Sequence, residues 1–163
     1  MNGTAGEMRS EMEVNREIKF RAWDKYKKQM YFVSSIDYDI FSQEIRTISI
    51  AHENGMCTAY NKNHNSEECD ITALELMQST GLNDKNGKEI YRGDIIIIIC
   101  KQYFGGNFVD YCIEKGFVEC KDGELGLHRK QGYYQSLKKF FEHDYEIEKI
   151  GNIYENSELL GGE

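Results

Sequence analysis

The stretch Thr80-Gly81-Leu82-Asn83-Asp84-Lys85-Asn86-Gly87-Lys88-Glu89-Ile90-Tyr91-Arg92-Gly93-Asp94 runs straight into Ile95-Ile96-Ile97-Ile98-Ile99, and its reading decides the fold. Asn86-Gly87 is a tight-turn signal, because both residues accept the positive φ that short β-turns demand. Asp84 is placed to accept backbone N–H groups, while Gly87 and Gly93 are free to take unusual backbone angles. Thr80, Gly81, Asn86, Tyr91 and Asp94 complete the motif. The five isoleucines that follow are a dense β-branched run. Such a strand is buried on both faces, or on one face and against another subunit. Left in water it would be an aggregation hazard. The segment is read as a turn-rich entry into a small β-barrel. A binding loop is the alternative for its polar residues; turn architecture is the simpler reading.

Working outward toward the C-terminus, Phe104-Gly105-Gly106-Asn107 reads as a flexible loop. Phe117 to Lys121 and Leu125 to Arg129 flank Asp122-Gly123, a second tight hairpin. Ser136 precedes Leu137, Phe140 and Phe141, an N-capped short helix with apolar spacing i, i+3, i+4. Ile147, Ile150 and Ile153 end the core as a last strand, and Asn156 to Glu163 is a tail that can dock through Leu159 and Leu160.

Toward the N-terminus, Asp70 to Gln78 fits a helical turn or a strand, with the strand preferred. His52 to Ser66 is a polar loop. Glu44 to Ala51 and Ile36 to Phe41 look like separate strands, the former with a bulge or a late start. Met30 to Val33 pairs as a hairpin with a strand in which Ile18, Phe20 and Ala22 alternate with Lys19, Arg21 and Trp23. Met1 to Val14 lacks the apolar core of a secretory signal and reads as a flexible leader, with Met8 and Met12 as alternative starts. The expected organisation is a leader over 1–15, a β-rich part over 16–70 and a barrel part over 71–163, mainly β with one short helix.

The 163 residues contain no proline and 15 glycines, so turns fall to Gly, Asn and Asp. A net charge of −8 opposes DNA and anionic membranes. The charge is uneven. Between Asn15 and Val33 six basic residues face two acidic ones, and between Glu142 and Glu163 seven acidic residues face one basic. The two ends can therefore attract each other, within one chain or between chains. No apolar stretch is long enough to span a bilayer, so no membrane partner is expected. Five cysteines without a CxxC pair suit reduced thiols and a cytoplasmic location.

Three segments carry a family resemblance: Arg16 to Lys25, Leu76 to Asp94, and Ile150 to Leu160. They occur in the order seen in YopX-like proteins of bacteriophages and prophages of Gram-positive bacteria, and the chain resembles that family over nearly its whole length. The middle motif is the long and specific one. The resemblance implies a two-part β-rich protein with an SH3-like barrel in its C-terminal half, a phage or prophage origin and assembly as a homo-oligomer. The family has no established catalytic residues to carry over.

Three sets of residues invite a functional reading. Lys19, Arg21 and Trp23 share a strand face, with Lys25, Lys27 and Lys28 in the following turn. Their cations could meet phosphates while Trp23 or Tyr31 stacks on a base. The plainer alternative is a solvated strand face whose charges blunt a sheet edge. His52 and Cys57, and His64 and Cys69, form two equally spaced pairs that could surround Zn²⁺, against the plainer reading of polar loop residues. Asp37 and Asp39 share a strand, and His128 with Cys120 could meet across a hairpin to activate a thiolate; ordinary strand positions explain both pairs. Cys100, Cys112 and Cys120 read as small core residues. No phosphate loop, dinucleotide fingerprint or hydrolase elbow occurs, and no cofactor is expected. The resulting expectation is a non-enzymatic module that binds itself or an unknown phage or host protein, with nucleic-acid association through the basic hairpin as the alternative.

Overall fold

The computed structural model describes residues 18–129, 132–142 and 145–161. The expected leader and Arg16 lie outside the described residues.

The structure is mainly β, with two antiparallel sheets and one short helix. Six strands form the first sheet in the order β4-β3-β2-β1-β5-β6: β1 Phe20–Asp24, β2 Gln29–Tyr38, β3 Ile45–Ala51, β4 Cys57–Asn61, β5 Leu74–Asn83 and β6 Glu89–Tyr91. Five form the second, β10-β9-β8-β7-β11: β7 Asp94–Phe104, β8 Asn107–Lys121, β9 Glu124–His128, β10 Tyr134–Ser136 and β11 Glu146–Asn152. Helix α1, Leu137–Glu142, follows β10. The expected barrel is not closed, because the second sheet ends at β10 and β11.

β5 and β6 hydrogen-bond with the first sheet, β5 directly against β1. The chain passes from the first sheet to the second at Gly93, between β6 and β7. Ile71–Ala73 is a 3-10 turn, and Asp70 accepts the Thr72 N–H at its start. That turn feeds the preferred strand, so the ambiguous segment uses both of its readings in succession.

The alternating pattern of β1 is observed, but neither face is solvated. Ala22 packs with Tyr31, Ile48, Ile50, Tyr60 and Leu74 on one side. Trp23 packs with Met77 and Tyr91 on the other and stacks on Tyr154 at 5.9 Å. A period of two identifies faces; it does not say whether a second sheet covers the polar one. The strands expected over Met30 to Val33 and Ile36 to Phe41 are one strand, β2, with a register shift between Val33 and Ser35. Inside the expected polar loop lies β4, anchored by Tyr60, which is completely buried.

The second core gathers Ile96 and Ile98 of β7, Val118, Leu127, Leu137, Phe140 and Ile147 around Ile90, which reaches in from β6. The isoleucine run is therefore spent within the chain. β7 lies between β8 and β11, and Ile95, Ile96 and Ile98 are buried. Asp122 and Gly123 both have positive φ, as the β8–β9 turn requires. The expected flexible loop at Phe104–Asn107 is the two-residue Gly105-Gly106 turn of the much longer β7–β8 hairpin, again with both φ positive.

Candidate functional site

Two places draw attention. The first is a buried polar junction between the sheets. Asp94, at the start of β7, is fully buried. Its carboxylate accepts from Arg21 of β1, from the Tyr91 N–H at 2.8 Å and from Lys149 Nζ at 2.9 Å. The Arg21 guanidinium also lies over the Tyr91 ring, 4.7 Å from its centroid. Burial, then the hydrogen bond to Glu89, pushes the Tyr91 hydroxyl up to about 12.

Asp84 works beside it. Its carboxylate accepts the N–H groups of Asn86 and Lys88, each at 2.8 Å, and that of Lys149 at 3.2 Å. Burial alone would raise its pKa; the N–H groups of Lys88, Lys149 and Asn86 outweigh it and hold the carboxyl below the usual range. Gly87 has φ +78 in open space, and Gly93 has φ +84 with Met77 Sδ 3.3 Å from where a Cβ would lie. Thr80 Oγ1 donates to the Ile90 carbonyl at 2.7 Å, while Gly81 carries a positive φ. The residues singled out from Thr80 to Asp94 thus join turn, strand and intersheet contact.

The basic hairpin is divided by this packing. Arg21 and Trp23 are buried and unavailable to a phosphate or a base. The expectation of a solvated face is thus corrected for Arg21 and Trp23, while Lys19 on the same face stays exposed. Lys19, Lys25, Lys27 and Lys28 lie on the surface. Lys25 faces Glu75 at 3.2 Å, and Lys27 reaches Asp24 at 3.3 Å and the Tyr60 hydroxyl. Lys19 lies 3.9 Å from Glu89, beside a concavity of about 690 Å³ lined by Ile18, Phe32, Ile36 and Tyr38. At the acidic end, Glu146 and Glu148 face Lys85.

His52, Cys57, His64 and Cys69 are not gathered into a metal-holding group, and no cluster of three or more such ligands occurs among the described residues. His52 instead meets Thr58 Oγ1 at 2.8 Å, and the His64 ring caps the Ser66 N–H at 3.0 Å. Cys120 stands opposite Leu125, whereas His128 stands opposite Phe117, stacks on it and meets Glu119 at 2.6 Å. The Asp39 carboxylate accepts the N–H groups of Ser42 and Phe41, which hold its pKa down.

The second place is one that sequence reasoning missed. β11 supports β7 only as far as Ile99, and β9 supports β8 only from Phe117 onward. Beyond those points the β7–β8 hairpin continues as a two-stranded arm. It exposes Tyr103, Phe104, Phe108, Val109, Tyr111 and Ile113, Phe104 at 83%. Phe108 forms the centre of an aromatic group, 6.1 Å from Tyr103 and 4.9 Å from Tyr111. The available signal was Gly105-Gly106 between two aromatic-rich runs, which is hairpin chemistry. Cys100 and Cys112 lie on this arm and are partly exposed, and Cys120 is exposed, so none of the three is a core residue.

Two docked antiparallel sheets, a buried acid–base junction and a projecting apolar arm define a β-rich, two-sheet protein. Residues 19–161 match the family described as YopX protein, and the chain belongs to that family. Among solved structures it is similar to protein EF1440 from Enterococcus faecalis, with 28% identity and a TM-score of 0.54. That match covers 88% of this chain and 98% of the other. It is also similar to protein yopX from Bacillus subtilis, with 22% identity and a TM-score of 0.49, covering 89% and 97%. No curated protein matches significantly. No helix among the described residues is long and apolar enough to cross a membrane.

Proposed function

We propose that the chain is a non-enzymatic accessory module of a phage or prophage that acts in the cytoplasm by protein interaction and binds a second copy of itself through the β7–β8 arm. An SH3-like arrangement of the second sheet belongs to the same reading. The observation that carries it is the arm's exposed apolar surface. Its four aromatics, each about half exposed or more, present on the order of 500 Å². That is most of the ~800 Å² one partner contributes to a standard interface. Charge selects the occupant. From Cys100 to Gly116, Lys101 and Lys115 balance Asp110 and Glu114, in a chain whose net charge is −8. Two such chains carry like net charge, and this segment adds none to their repulsion.

Size exclusion with light scattering tests the reading at micromolar concentration. The expected result is a dimer or larger assembly, weakened at least tenfold by Phe104→Glu with Phe108→Glu. Phe41→Glu is the control, since Phe41 is 90% exposed at the β2–β3 turn, and it should leave assembly unchanged. A wild-type monomer overturns self-association, while an arm variant that assembles like the wild type overturns the role of the arm. The nucleic-acid reading retains only the surface lysines of the basic hairpin. Salt-sensitive binding of a single strand, lost in Lys19→Glu with Lys25→Glu, would favour it instead.

A further inference from the structure

We propose that Cys100 and Cys112 are a redox modification site: an intramolecular disulfide that clasps the root of the arm. The two residues are direct partners in the β7–β8 ladder. Direct antiparallel partners have Cα atoms about 4.5 or 5.5 Å apart, according to pair type, and either separation falls inside the range that a disulfide spans. The Cys100 thiol already points across the ladder, its Sγ lying 3.5 Å from the Cys112 carbonyl oxygen. Both side chains are partly exposed, which gives a small oxidant access. Burial, then contact with Cys112, raises the Cys100 pKa, which lowers its thiolate fraction and slows its attack on an oxidant.

Position gives the clasp its effect. Ile99 opposite Ile113 is the last rung of β7 that β11 also supports; Cys100 opposite Cys112 is the next. Beyond it the ribbon is held only by its own two strands. A crosslink there closes a short loop around the Gly105-Gly106 turn and removes the ribbon's freedom to splay. The inference does not depend on what the arm binds.

The reaction is thiol–disulfide exchange with a low-molecular-weight disulfide such as oxidised glutathione. One cysteine thiolate attacks a glutathione sulfur. The glutathione S–S bond breaks, and one glutathione leaves as thiolate. The second cysteine thiolate then attacks the first cysteine's sulfur in the mixed disulfide, so that the cysteine–glutathione S–S bond breaks and the other glutathione leaves as thiolate. The protein loses two electrons, oxidised glutathione gains them, and the two cysteine protons end on two molecules of reduced glutathione.

The full-length protein, equilibrated with oxidised glutathione and digested without reduction, tests this by mass spectrometry. The expected product is a Cys100–Cys112 crosslink with the mass lower by two hydrogens, absent in both Cys100→Ser and Cys112→Ser. Amide exchange within Lys101 to Tyr111 should slow about tenfold on oxidation. Mixed glutathione disulfides without the crosslink, or a crosslink joining other cysteines, would overturn the site. A crosslink that leaves the arm's exchange unchanged would overturn the clasp.

Discussion

At the scale of single residues, Asp94 holds the most consequential position. It is fully buried and answers two cations, Arg21 and Lys149, from different sheets. Removing one partner of a buried ion pair leaves the other charge uncompensated, which typically costs about 3–5 kcal/mol. Asp94→Ala is expected to lose stability of that order, read by urea unfolding of the wild type and the variant. Asp24 and Asp84 contribute to the response to acid. Burial would raise the Asp24 carboxyl, but the Lys27 N–H, the Tyr60 hydroxyl, the Tyr26 N–H and the Lys27 ammonium together bring it below its ordinary value. Asp84 is lowered too, by backbone N–H groups that outweigh its burial. A carboxyl whose folded pKa is depressed adds stability above its unfolded pKa, near 3.8, and loses that stability as pH falls through the folded value. Urea midpoints should therefore hold steady down to about pH 4 and drop below it. Asp84→Asn should lower the midpoint at neutral pH and flatten the acid drop; an unchanged acid slope would remove Asp84 from that account.

At the scale of elements, the β8–β9 pairing depends on an absent side chain. A Cβ on Gly116 would lie 2.4 Å from the His128 carbonyl oxygen and 2.9 Å from Leu127 Cδ1. Backbone cannot give way as a flexible side-chain end can. Gly116→Ala is expected to cost about 1–3 kcal/mol or more by overpacking, measured as a fall in the unfolding midpoint. Gly55→Ala provides the comparison: its Cβ meets nothing within 4 Å but inherits φ +80, a conformational penalty of about 1–2 kcal/mol. The same local chemistry explains what the sequence made legible. Turn residues placed the Asp122-Gly123 hairpin and the Asp84–Lys88 turn, and helical spacing placed α1, because those elements are governed by neighbours in sequence. β4 was hidden because its strand character rests on Tyr60, whose hydroxyl reaches Asp24 of β1 across 36 positions. The roles of Arg21 and Trp23 were hidden likewise, since Asp94 and Tyr154 lie far along the chain. Asp84 and Gly93 were recognised as architecture from their turn chemistry. The apolar arm was visible only as two aromatic-rich runs around Gly-Gly, without the register that shows where their neighbours stop.

For the whole molecule, the balance between net charge and the neutral arm yields a test that separates two modes of assembly. Two copies carry −8 each, so their approach is opposed by repulsion that salt screens. Between about 50 and 500 mM salt the Debye length shrinks from roughly 14 to 4 Å, while burial of aromatic surface is little weakened. Arm-mediated association should tighten over that range, the dissociation constant falling by about threefold or more. Attraction between the basic segment 15–33 of one copy and the acidic segment 142–163 of another would do the opposite, because screening removes it. The intramolecular pairs make this second mode the weaker one. Arg21, Lys25 and Lys27 already face Asp94, Glu75 and Asp24, and Glu146 and Glu148 already face Lys85. Sedimentation velocity across a salt series reads the difference directly. Dissociation that rises with salt would move the contact from the arm to the charged ends, even if the assembly itself is confirmed.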